Sequence, residues 1–179
     1  MNGNEVLIDL LEDNRRRLAR LLAALPAGCA TWSAEPGANS IAITIWHMAR
    51  MFDVFLTRQA RGDPAEAECW FRLGWAARTG YDPRGIGQNG WGMLTGYTQA
   101  EVAALPPLSL EQVLAYLNAV YEAVKEYLAC TPEEKLLTPG AGFEGKYTQY
   151  QCLQMPLMDN VRHLGEIFAI KASWDRHQP

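Results

Sequence analysis

The chain has little of what marks several large functional classes. Charged residues make up 20% of it, the net charge is -4, and no run of basic residues longer than Arg15–Arg17 is present, which argues against nucleic acid as the main partner. The same balance leaves a membrane surface unsupported, and no apolar stretch is long enough to cross a bilayer. The four cysteines, Cys29, Cys69, Cys130 and Cys152, stand far apart without a CxxC pair. Reduced, mostly buried thiols in a cytoplasmic protein are therefore expected, rather than a disulfide frame or a zinc knuckle. The N-terminal stretch places acids before its arginines and lacks the basic region and apolar run of a signal peptide. No fixed period repeats along the sequence.

What is present suits a single globular domain of 179 residues with 49% hydrophobic content. The most apolar element is the stretch SIAITIWHMARMFDVFLTRQAR, residues 40–61, which reads as a helix covered on most of its circumference. Stepping about 100° per residue from His47, Ile43, Met51 and Val54 fall within about 40° of it. Ile41, Ile45, Met48, Phe52, Phe55 and Leu56 cover the far side, and only the arc of Arg50, Asp53 and Thr57 is expected to face water. A histidine on so buried a helix needs a polar partner.

Three other long helices follow from periodicity. Residues 5–25 carry Leu7, Leu11, Leu18, Leu22 and Leu25 on one face, with Arg15, Arg16, Arg17 and Arg20 on a solvated one. Ser109 caps a helix whose Leu110, Val113, Leu114, Leu117, Val120, Tyr121, Val124 and Leu128 keep the three and four spacing. The last helix is expected over about residues 147–174, with Leu153, Leu157, Val161, Leu164 and Phe168 as its core stripe.

Between helices two and three lie short helical pieces and the segment TGYDPRGIGQNGWGMLTGYT. It lacks the GxxxxGK[ST] pattern of a phosphate cradle. An ordered loop over one end of the bundle is expected, packed by Tyr81, Trp91 and Tyr97, and it can equally form a wall of a ligand cleft. Turn chemistry in the first connector is assigned to Pro36, Gly37 and Asn39, with Ser40 as the next helix's cap. Trp32 is expected to fold back onto the bundle. The fold class is thus all-α, a bundle of four long helices with a long glycine-rich loop and short extra helices between the second and third.

Asp159 and His163 are spaced i, i+4 and so project from one side of the last helix, where they can grip one ion. With Leu157 at zero they fall at about -160° and -120°, on the flank of the expected core stripe. If His47 meets them across the bundle, two imidazoles and a carboxylate form an open set suited to Fe(II), with Zn, Ni and Mn compatible by ligand type. Such a site activates water or deprotonates a thiol. The other reading is a hydrogen-bonded core His47 and an Asp159–His163 pair on a helix surface. Glu166 is within reach of a reacting group but is expected to be a solvated helix residue. His177 is expected in a frayed tail, and Cys130 is the cysteine to test first as a nucleophile.

The helix-borne WH in NSIAITIWHMARMFDVFL, together with the final DNVRHLGEI, resembles the DinB superfamily of four-helix proteins. The resemblance places that family's first metal histidine on His47, its final one on His163, and its glycine on Gly165. At the remaining ligand position this chain has Asp159 where the family has histidine. The resemblance implies a divalent metal ion, a small-molecule substrate, a low-molecular-weight thiol or water as nucleophile in transfer or hydrolysis, and homodimerisation. Against it stands a non-catalytic bundle that binds a small ligand or a partner subunit, with the polar trio structural.

Overall fold

A computed structural model describes residues 2–35 and 37–177; Pro36, to which turn chemistry was assigned, lies outside the described residues. Four long helices form the frame: α1 (Gly3–Leu22), α2 (Ile41–Val54), α6 (Leu110–Cys130) and α8 (Gln149–His177). Between α2 and α6 come the short helices α3 (Cys69–Arg72), α4 (Trp75–Thr79) and α5 (Gln99–Ala103), and α7 (Glu133–Leu136) precedes α8. The described residues hold no strand, only an isolated bridge between Pro139 and Thr148. The all-α class stands. No helix among the described residues is long and apolar enough to cross a membrane.

The helix starts follow local chemistry. Asn2, Thr98 and Ser109 each close a capping box, with Glu5, Glu101 and Gln112 reaching back to the cap backbone. Ser40 Oγ accepts from Ile43 N and starts α2. At its other end α2 does not stop but widens into a π-helix over Phe55–Arg61, which ends on Gly62. Helix α2 packs on both α6 and α8, and α1 packs on the same two from the opposite side. Ile41, Ile45, Met48 and Phe52 are buried in that frame with Leu117, Val120, Tyr121 and Leu157. Trp32 does fold back, its ring 5.6 Å from that of Trp174.

Two expected faces are corrected. Arg50 and Asp53 are 0% and 1% exposed, and Thr57 is buried too, so the supposed water-facing arc of α2 lies inside. The charges are tolerable because they meet each other: Arg50 Nη1 lies 2.7 Å from Glu68 Oε2 and 3.5 Å from Asp53 Oδ2. Asp53 also accepts from the backbone N–H of Cys69 and Trp70 at 2.7 and 2.9 Å and from the Tyr116 hydroxyl at 2.6 Å.

On α8, Val161 and Phe168 are 50% and 61% exposed, although both were assigned to the core. The buried face instead runs through Leu153, Pro156, Leu157, Asn160, Leu164 and Ile167. It is turned by about 60° from the expected stripe, toward Asp159 and His163. Asn160 is accepted inside because its Nδ2 donates to the Tyr121 hydroxyl at 2.9 Å. His177 is helical rather than frayed, with Nδ1 bonded to Ser173 O at 2.8 Å and its ring 5.5 Å from Trp32.

Candidate metal centre

The rotation of α8 brings the three predicted residues together. His47 Nε2 lies 3.3 Å from Asp159 Oδ2, and His163 Nε2 lies 3.2 Å from the same oxygen. The two imidazoles meet edge to face, with centroids 4.7 Å apart. One ligand atom from each residue falls in a set no more than 4.8 Å across, the one such His, Cys, Asp or Glu group among the described residues. His47 is buried, while Asp159 and His163 are partly open, so the centre sits at the edge of the α2–α8 seam.

Both rings are oriented from behind. His47 Nδ1 is hydrogen-bonded to the carbonyl of Met93. A carbonyl can only accept, so Nδ1 carries a proton and the ring is turned with Nε2 toward Asp159. His163 Nδ1 bonds to Glu166 Oε2 at 2.5 Å, one turn further along α8. Glu166, expected to be a solvated helix residue, is thus half-buried against the site. Sequence reasoning missed it as an orienting group, although its i, i+3 spacing from His163 was a usable signal. The Met93 contact had no such signal, because any residue can offer a carbonyl.

The electrostatics follow from this packing. Burial is the largest single influence on both Asp159 and His163 and disfavours their charge, but the hydrogen bonds and charges of their neighbours together outweigh it. With His47 also bonded to it, the Asp159 carboxyl is held far below the ordinary carboxylate range. Asp159 and Glu166 together raise His163 to about 9. The hydrogen bond from His163 likewise holds Glu166 below its usual value.

The donor set fits a metal ion. Ligands at about 2.1 Å from a tetrahedral or octahedral centre are about 3.0–3.4 Å apart; both nitrogen-to-oxygen separations fall in that range, within a set up to 4.8 Å across. Each imidazole also has the acceptor on its far nitrogen that metal-binding histidines require.

The DinB superfamily model matches residues 10–167. The chain belongs to the DinB superfamily. A crystal structure described as that of a conserved protein of locus from Enterococcus faecalis is similar, with a TM-score of 0.74 at 20% identity over 97% of each chain. A likeness at that identity speaks for the shared fold alone. No curated protein matches the sequence. Within this DinB fold the glycine-rich loop reaches the centre through Met93, while Cys130 is exposed on another groove with Arg61, Tyr127 and Lys135.

Proposed function

We propose that this DinB protein is a metal-dependent enzyme acting on a small molecule by thiol-dependent transfer or hydrolysis, with His47, Asp159 and His163 as ligands to a divalent ion. The observation that carries the reading is the convergence of two Nε2 atoms on one carboxylate oxygen while both Nδ1 atoms are already bonded from behind. Two imidazole lone pairs aimed at a carboxylate repel it unless a proton or a cation lies between them. Zn, Ni, Fe(II) and Mn suit this donor set.

A divalent ion bound there supplies acidity, making a coordinated water or thiol a nucleophile near neutral pH. The chain's own residues do the rest. Met93 O and Glu166 fix the ring orientations, and Asp159 supplies the negative charge that retains a cation. Glu166, one turn beyond His163 and partly exposed, is the carboxylate outside the ligand set to which we assign proton transfer. The loop of residues 80–97 borders the site, so substrate selection is assigned to it, together with a cytoplasmic small thiol as co-substrate and a homodimeric assembly.

One observation favours the non-catalytic alternative: without metal, a protonated His163 already satisfies both Asp159 and Glu166. Elemental analysis of untagged protein, beside His47→Ala and Asp159→Ala, separates the two. Near-stoichiometric metal that is lost in both variants is expected. Failure to take up Zn, Ni, Mn or anaerobic Fe(II) leaves the trio structural.

A further inference from the structure

Arg50 stands one turn after His47 on α2, and its guanidinium is fully enclosed. Nε donates to Gly92 O at 3.0 Å and Nη2 donates to Trp91 O at 3.2 Å. The next carbonyl in the chain, Met93 O, is the one bonded to His47 Nδ1. Three consecutive carbonyls of the glycine-rich loop therefore point at α2, two held by Arg50 and the third by the histidine. Nη1 is anchored on the opposite side by Glu68 at 2.7 Å and by the Tyr116 hydroxyl at 3.3 Å. A planar fork with several fixed donors makes such a two-sided contact, which a lysine ammonium cannot reproduce.

The loop itself needs holding. Leu94 takes φ +78°, a conformation disfavoured for any residue but glycine, and Gly92 has φ +64°. A Cβ on Gly92 would stand 2.2 Å from Pro83 O. The backbone at 91–94 is thus kept in a costly shape by its contacts, and on the α2 side its hydrogen bonds are those of Arg50 and His47, beside the apolar cluster of Met93 with Val54 and Phe55.

We propose that Arg50 is a positioning residue of the metal centre: by clamping the carbonyls of Trp91 and Gly92 it sets Met93 O against His47 Nδ1, which fixes the tautomer that turns Nε2 toward Asp159. The proposal rests on reading His47, Asp159 and His163 as that centre. A role in stability alone explains the pairs with Glu68 and Asp53, but it requires nothing of the His47 ring.

The test uses the full chain as wild type, Arg50→Lys and Gly92→Ala. Arg50→Lys keeps a cation for Asp53 and Glu68 and loses the fork, whereas Gly92→Ala displaces the loop and leaves the ion network whole. Folding is checked by circular dichroism. In chelator-treated protein, long-range nitrogen NMR of the neutral His47 ring reads its tautomer, and competition with a chromophoric chelator reads the Kd for Zn(II). The expected result is a folded Arg50→Lys protein in which His47 becomes a mixture of tautomers and Kd rises about 10–100-fold, with the His163 signals unchanged. If Arg50→Lys does not fold, Gly92→Ala is expected to give the same pair of changes. A folded variant that keeps the proton on His47 Nδ1 and the wild-type Kd overturns the proposal. If wild-type protein takes up no Zn(II), the metal reading falls, and the tautomer measurement still decides what Arg50 does.

Discussion

Glu166 and His163 lie one turn apart on the same helix, and the carboxylate accepts the Nδ1 hydrogen bond at 2.5 Å. That contact makes the second imidazole of the centre more basic and fixes which nitrogen it offers inward. Replacing Glu166 by Gln keeps the shape and removes the charge. Metal affinity is expected to fall about tenfold, measured by competition titration, with little change in the urea midpoint of the metal-free protein.

Metal-free protein is expected to lose stability as pH rises. His163 is raised to about 9 in the folded state, above its unfolded value of about 6.5. Its contribution is therefore fully present below pH of about 6.5 and lost as pH climbs through about 9. The loss is on the order of 2 kcal/mol, allowing for screening at this partly exposed site. Thermal melts in chelator at several pH values check it, and His163→Gln should flatten the alkaline limb.

The opposite slope is expected for loading. A divalent ion must displace the proton from His163 Nε2, so its affinity should increase with pH until His163 is deprotonated near about 9. Proton release on adding Zn(II) to weakly buffered protein, followed with an indicator dye, reports the same exchange.

The buried ion network predicts a loss confined to stability. Tyr116→Phe removes the hydroxyl that donates to Asp53 at 2.6 Å, leaves the two backbone donors of that carboxylate in place, and takes from Arg50 only its longer anchor at 3.3 Å, the Glu68 pair at 2.7 Å remaining. A cost of about 1–2 kcal/mol is expected in urea denaturation, with metal content unchanged.

The orientation of α8 can be checked by contrast. Leu157→Ala should cost about 2–5 kcal/mol because its side chain is buried against α2. Val161→Lys, on the exposed groove beside α1, should stay within about 0.5 kcal/mol of wild type. Equal losses at the two positions would favour the stripe centred on Leu157 and Val161.

Much of this was legible in the sequence, for identifiable reasons. The caps at Ser40 and Ser109 use short-range chemistry, and the α6 face is apolar at nearly every expected step. His47, Asp159 and His163 were found as candidates, and the structure brings them together. The α8 face was misplaced because Asn160 and Pro156 are core residues that hydrophobicity scores as outsiders, whereas Val161 and Phe168 are apolar and exposed. Arg50 and Asp53 were assigned to water because their compensation comes from Glu68 and Tyr116, 18 and 66 residues beyond Arg50. Charge pairing at such separation leaves no periodic trace. The π-helical continuation of α2 had no recognised signal either, since Phe55–Arg61 fits an α-helix equally well by composition.

The loop meets the centre through main-chain oxygens, not through side chains. Trp91 can therefore be exchanged for other residues without deleting an acceptor, while Gly92 cannot readily be replaced. The half-buried side chain at 91 is thereby free to change while the same histidine geometry is kept, whereas the side chain at 93 is also held by its packing with Val54 and Phe55. Variation of the side chain at 91 and constancy of the oxygens that meet His47 and Arg50 are, in this architecture, separable traits of one short piece of chain.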